Sequence, residues 1–305
     1  MLENKRELFL NLIVDIEPRL KKYLSYGSNK VKKALFVKHK ALVKVWGKML
    51  KKFFGIDFKY KTKTFWGREI CVLPFDRNAN IPLFFSSLPE FETIKFLVKR
   101  LKENDIFYDI GANLCFYTIL AQEFINQEKG EIHAFEPLPE IFSLLCENAK
   151  VHYFKNTFLN NLAVSDKIGE AEFYNKTTLS HSGGNSLIFR KELDSAGKIK
   201  VKTITLDEYI KTHKPPTIMK IDIEGAEYLA LKGAENLLKT YSPIIIMETL
   251  GDEFLPDPSL RRNAVALLKE FGYRAYNILS DGEIEEVDYN VFHTMKGVSN
   301  YVFSK

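Results

Sequence analysis

Asp109, Glu136, Lys220, Asp222, Glu224 and Glu248 stand at or just past the ends of successive apolar runs. Their types and order are what could do chemistry in this chain. Asp109 closes Ile106-Phe107-Tyr108 and leads into Gly111-Ala112-Asn113, then into the helix-forming stretch that carries Tyr117 and Thr118. At the carboxyl edge of a parallel sheet such a small-residue turn lets the backbone approach a ligand closely, and the N–H groups beyond it face what is bound. A carboxylate where a dinucleotide site has its first glycine repels a pyrophosphate and suits a cation, such as the ammonium or sulfonium end of S-adenosylmethionine. Glu136-Pro137 ends the next apolar run, Ile132-His133-Ala134-Phe135. An ionised carboxylate there offers two acceptor oxygens to a ribose diol.

A second group of charges lies in Ile218-Met219-Lys220-Ile221-Asp222-Ile223-Glu224-Gly225. Strand alternation gives Lys220, Asp222 and Glu224 one parity and the isoleucines the other, so three charges emerge on one side of an otherwise apolar strand. A buried strand carries such charges for a purpose, or as a structural Lys–Asp ion pair. Glu227 falls one turn into the next helix, where it favours the N-terminal dipole. Glu248, after Ile244-Ile245-Ile246-Met247, faces the same crevice. Asn161 and Ala163 end the third run and are either adenine-side residues or a plain strand end before the turn through Asp166 and Gly169. His133 reads as a core histidine, Tyr301 as core, and His181 as either a loop residue or an alternative base over the crevice.

The elements that must position these groups alternate. Strands are expected at Ile106 to Ile110, Glu131 to Phe135, Thr157 to Val164, Thr217 to Ile223 and Pro243 to Glu248, with helices near 115–127, 138–150, 226–239 and 259–271. Before them come a strand from Phe65 to Pro74 and a helix from Pro89 to Lys102. Residues 175–198 form a polar, glycine-containing loop, and Asn300 to Phe303 a last edge or antiparallel strand. The pattern predicts an α/β, Rossmann-like domain over residues 66–305, with a mostly parallel central sheet covered by helices on both faces.

Residues 1–65 read differently. The first 63 hold 17 Lys and Arg against 5 Asp and Glu, although the whole chain carries only +5. Between Val31 and Phe54, apolar residues occupy one helical arc and lysines the other. This basic amphipathic helix either packs on the catalytic domain or lies on an anionic membrane surface. Three scattered cysteines lack metal-ligand spacing and fit a reducing, cytoplasmic setting, peripheral to the inner membrane face if the helix binds lipid. No run has the length of a membrane span.

DIGAN at 109–113, AFEP at 134–137, NLAVSD at 161–166, TLDEYI at 205–210 and KIDIEGAE at 220–227, in this order and followed by the strand to Glu248, resemble the FkbM family of S-adenosylmethionine-dependent methyltransferases over roughly residues 66–305. The resemblance implies a class I methyltransferase fold. It places Asp109, Gly111, Ala112, Asn113, Tyr117 and Thr118 around the methionine part of S-adenosylmethionine, Glu136 and Pro137 by the ribose, and Glu92 within reach of the cofactor. It also implies O-methylation of a hydroxylated acceptor, a sugar, glycan, glycolipid or related natural product. Asp222 or Glu224 then takes the acceptor's proton, and Lys220 holds the acceptor or tunes the carboxylates. A metal is not required; a magnesium-dependent variant would use Asp222, Glu224 and Glu248. The family usually has glycine at Cys115, and a cysteine there is tolerable at negative φ. Three other classes remain to be weighed. A nicotinamide oxidoreductase lacks its GxGxxG here. An RNA methyltransferase is at odds with an acidic catalytic region, which makes nucleic acid an unlikely partner. A non-catalytic membrane- or partner-binding module is kept open by Cys115.

Overall fold

The computed structural model describes residues 2–25, 60–72, 90–175, 186–188 and 197–305. The basic helix expected at 31–54, and His181, lie outside the described residues. Contacts divide the described residues into two units, one up to Phe91 and one from Glu92 onward.

In the first unit a helix runs Leu2–Ser25, burying Phe9 and Ile13. Phe9 sits 5.6 Å from the Phe65 ring and 5.5 Å from that of Trp66. Strands β1 (Tyr60–Lys63) and β2 (Glu69–Val72) pair as an antiparallel hairpin. Phe65 and Trp66 therefore belong to the turn, where Thr64 Oγ1 accepts from the Arg68 N–H and Gly67 takes φ +91°, rather than to the strand expected from Phe65. No helix among the described residues is long and apolar enough to cross a membrane.

The second unit opens with the helix Phe91–Arg100 and then builds an eight-stranded sheet. Strands β3 (Ile106–Ile110), β4 (Glu131–Phe135) and β5 (Thr157–Asn160) step outward in one direction. Short strands β6 (Ala163–Val164), β7 (Gly169–Asn175) and β8 (Gly197–Ile204) form a separate three-stranded sheet. The chain then returns to the far side of β3 with β9 (Ile218–Ile221) and β10 (Ile244–Leu250). Strands β11 (Arg274–Ile278), β12 (Ile284–Val287) and β13 (Val298–Ser304) complete the order β12-β11-β13-β10-β9-β3-β4-β5. The five strands β5, β4, β3, β9 and β10 are mutually parallel, and β13 joins them antiparallel. Every residue of β3 and β9 is buried, as befits parallel strands covered on both faces.

Alternation sorts the side chains. Tyr108, Ile110, Phe135, Met219, Ile221, Ile245 and Met247 share one cluster with Leu206, Leu231, Leu237 and Leu268 from four helices. Asp109 and Lys220, directly paired in register across β3 and β9, have the opposite parity. Strand order reverses between these two strands. In open α/β sheets that switch point leaves a crevice at the carboxyl ends, where ligands bind.

Two expected elements divide. The strand foreseen from Thr157 to Val164 breaks at Asn161-Leu162, and its second half joins the smaller sheet. The helix foreseen over 226–239 becomes Glu227–Lys232 and Glu235–Thr240: at the break the Gly233 carbonyl accepts from Asp207 N, and the Asp207 carboxylate accepts from Asn236 N and Leu237 N at the start of the second helix. The helices Pro139–Val151 and Ser259–Glu270 match their expected positions closely, and the helix expected to 127 ends at Gln122.

Candidate active site

The turn after β3 is held by its neighbours. The N–H groups of Gly111 and Ala112 both donate to the Phe135 carbonyl, at 3.0 and 2.9 Å, and Asp222 N donates to Ile110 O at 2.9 Å. Gly111 has φ +87°, and a Cβ there would stand 1.9 Å from the Asp222 carbonyl oxygen. Glycine is thus required twice over, by conformation and by the approach of the β9 strand end. Asn113 (φ +48°) and Cys115 (φ +81°) are also left-handed. The negative φ that would make Cys115 unremarkable is not found: a fully buried, β-substituted residue occupies a conformation that favours glycine.

Behind this turn Asp109 is buried, and one of its oxygens accepts from Thr118 Oγ1 at 2.6 Å. Burial raises its pKa to about 6, against the Thr118 hydrogen bond and the nearby Lys220 charge, which lower it. Glu136 reaches across from β4, its two oxygens accepting from Asn113 N (3.1 Å) and Leu138 N (2.9 Å). Its burial raises the pKa to about 7. Each carboxyl oxygen keeps a second lone pair. Asn113 Oδ1 is buried and accepts no hydrogen bond from the described residues. Asn161 braces this edge, its amide donating to the carbonyls of Glu136 (2.9 Å) and Pro137 (3.0 Å). Ala163 is buried in β6, and Glu92 is half-buried in the first turn of its helix.

At the end of β9, Lys220 is almost fully buried. Its Nζ lies 2.6 Å from Asp222 Oδ2 and 4.5 Å from the centre of the Tyr117 ring. The Lys–Asp pair considered from alternation is formed, and it joins the helix Phe116–Gln122 to the strand through a cation–π contact. The Asp222 side chain is 27% exposed, so the carboxylate opens outward. Alternation stops there: Glu224 follows in a left-handed turn at φ +59°, with Gly225 at +100°. Glu227 is buried, and its Oε1 accepts from Ile223 N (3.2 Å) and Gly225 N (3.1 Å), a turn-closing role that the helix-dipole reading missed. Burial lifts its pKa to about 7. Glu248 is half-buried one residue beyond the Met247–Ile221 pair, level with Asp222. Opposite it in β13 stands Asn300, whose buried Oδ1 has no hydrogen-bond partner among the described residues. Asn300 was read only as part of a final strand.

His133 is a core residue. It is fully buried, with Nδ1 2.9 Å from Tyr209 Oη and Nε2 3.3 Å from Glu131, and burial lowers its pKa to about 4.

The "Methyltransferase FkbM domain" family model matches residues 109–275. The hexuronic acid methyltransferase AglP of Haloferax volcanii is 26% identical over 160 residues, 52% of this chain and 61% of the relative, so the chain spans less than two thirds of that protein. Among solved structures, the methyltransferase FkbM from Methylobacillus flagellatus KT aligns with 14% identity and a TM-score of 0.42, over 73% of this chain and 47% of that one. An O-methyltransferase from Bacillus cereus in complex with SAH aligns with 12% identity and a TM-score of 0.41, over 72% and 82%.

Proposed function

The chain belongs to the FkbM methyltransferase family, and from that premise we propose that it transfers the methyl group of S-adenosylmethionine to a hydroxyl oxygen of a carbohydrate. The carrying observation is the set of acceptor groups with spare capacity at the β3–β4 edge: Asp109, Glu136 and the unsatisfied Asn113 Oδ1. A buried polar atom left without a partner is costly, and an ammonium or ribose hydroxyl supplies the missing donor. When bound, S-adenosylmethionine supplies a methyl group already activated on a sulfonium. Asp109 faces the cationic end, Glu136 accepts from the ribose, and Asn161 fixes the Glu136–Pro137 backbone.

On the β9 side Asp222, partly exposed and oriented by buried Lys220, accepts the acceptor's hydroxyl proton, with Glu224 as its neighbour on the turn. A sugar hydroxyl is a poor nucleophile until that proton is taken, so placing and deprotonating it is the chain's main task. No metal is needed for this assignment. A carbohydrate acceptor is supported by the relative that acts on a hexuronic acid.

The test incubates the protein with methyl-labelled S-adenosylmethionine and, separately, uronic-acid-containing oligosaccharides, fractionated cell-envelope glycans and total RNA, followed by mass spectrometry. Label in a glycan as an alkali-stable ether is expected. Label in RNA, or in a sugar carboxyl as an alkali-labile ester, would overturn the acceptor assignment. Failure to bind S-adenosylmethionine in a calorimetric titration would overturn the whole reading.

A further inference from the structure

The turn that carries Asp222 and Glu224 has a feature that no conformational rule requires. Both backbone polar groups of the residue between them, Ile223, are held by side chains, and its carbonyl also accepts from Ala226 N at 3.4 Å. Its N–H donates to Glu227 Oε1 at 3.2 Å, and its carbonyl accepts from Ser186 Oγ at 3.2 Å. Glu227 is buried and spends the same oxygen on Gly225 N at 3.1 Å. Ser186 is completely buried, and its Oγ also accepts from Ile188 N at 3.0 Å. Ser186 is itself fixed by a backbone bridge to Tyr174 at the end of β7, with N–O distances of 2.9 and 3.3 Å. Ile223 is thus tied on one side to the following helix and on the other to the smaller sheet.

We propose that Glu227 and Ser186 are positioning residues: together they clamp the Ile223 peptide groups and so set the aim of the carboxylates of Asp222 and Glu224 at the acceptor. The inference rests on the methyltransferase reading above for what those carboxylates do, but the clamp stands on geometry alone. Two consecutive left-handed residues, Glu224 and Gly225, follow Ile223. A non-glycine residue in that conformation is strained and persists only where its surroundings over-determine it. The side-chain clamp is that surrounding. Its hydrogen bonds go to none of Asp109, Asn113 and Glu136, so loosening it acts first on the acceptor side. The smaller sheet thereby gains a role at the site through Ser186.

Chemistry separates the two clamps from a general packing role. Glu227 accepts both hydrogen bonds through one oxygen, so the amide oxygen of E227Q replaces it, whereas E227A leaves the buried Gly225 N–H and the part-buried Ile223 N–H without that partner. Hydrogen–deuterium exchange and calorimetric titration with S-adenosylmethionine are to be run on the full-length wild type, E227Q, E227A and S186A. In E227A and S186A the peptide covering residues 222–226 should exchange about tenfold faster, with the 106–118 peptide unchanged and the cofactor Kd within threefold. E227Q should exchange like wild type. With labelled cofactor and cell-envelope glycans, E227A and S186A should lose more than tenfold in kcat at unchanged KM for S-adenosylmethionine, and E227Q should keep most of it.

The clamp is refuted if exchange at 222–226 is unaltered in E227A and S186A, if it rises equally throughout the domain, or if E227Q is as impaired as E227A. A wild type that binds no S-adenosylmethionine would remove the functional reading while the exchange data still decide the clamp.

Discussion

Replacing Gly111 by alanine probes the joint between the turn after β3 and the β9 strand end. The added Cβ would stand 1.9 Å from the Asp222 carbonyl oxygen and 3.2 Å from Ile223 Cγ2. Since a Cβ does not approach backbone oxygen closer than 3.0 Å, the two segments must part by more than 1 Å. At φ +87° the alanine also takes on about 1–2 kcal/mol of left-handed strain. Parting the segments strains the Asp222 N to Ile110 O hydrogen bond, worth about 1 kcal/mol. Against these stands a gain of about 0.4–1 kcal/mol from a less flexible unfolded chain. Together these terms leave a net loss of about 1–2.6 kcal/mol. Urea denaturation measures it, and calorimetric titration should show S-adenosylmethionine binding weakened more than tenfold, because Asp109 and Asn113 flank the displaced residue. A variant within about 0.5 kcal/mol of wild-type stability and threefold of its affinity would refute the close-approach argument.

Cys115, at φ +81°, should invert the usual order of small residues: Cys115→Gly should unfold at higher urea than Cys115→Ala by about 1 kcal/mol, and an alanine variant that is the more stable would disprove the strain. Glu136 holds its proton to about 7 in the folded state, so the native protein binds more protons than the unfolded chain between about pH 4 and 7. Its contribution to stability is full at acid pH and is lost as pH rises through 7. Glu136→Gln should therefore raise the ligand-free Tm more at pH 8 than at pH 5 while weakening cofactor binding, and equal shifts at both pH values would contradict this. In the proposed roles Asp109, at about 6, and Glu136 ionise to receive a cation and a ribose, so wild-type affinity for S-adenosylmethionine should climb between pH 5 and 8 in titration calorimetry; a flat profile would reject both roles. Asp222→Asn should leave cofactor affinity within threefold and lower methyl transfer at least a hundredfold, and unchanged turnover would remove Asp222 as the base.

Much of the central sheet was legible because buried parallel strands leave an unmistakable trace. β3 and β4 fall on their expected residues, since short apolar runs between helices have nowhere else to go. The smaller sheet was not read in advance. β7 and β8 are mixed-polarity strands, their exposed Glu172 and Lys198 paired across the hairpin, and such a pattern resembles loop composition. The division of 226–239 into two helices is not legible either, because the groups that bond at the break come from Asp207, in a distant segment. Among the site residues, Lys220 and Asp222 were placed by alternation, but Glu224 was not, because alternation ends where the strand does.

The amino-acid sequence by itself determined the identity and order of the chemical groups: carboxylates at Asp109, Glu136 and Asp222, a lysine two residues before the last, and glycine at 111. Residue type and strand period are local properties, and they survive in one dimension. Tertiary structure alone decided that Gly111 must yield space to Asp222, that Cys115 is left-handed, that Lys220 touches Tyr117, and that Glu227 and Ser186 meet at Ile223. Each of these depends on segments separated in sequence being brought within a few ångströms, and such distances are set by packing across the whole sheet rather than by any local pattern.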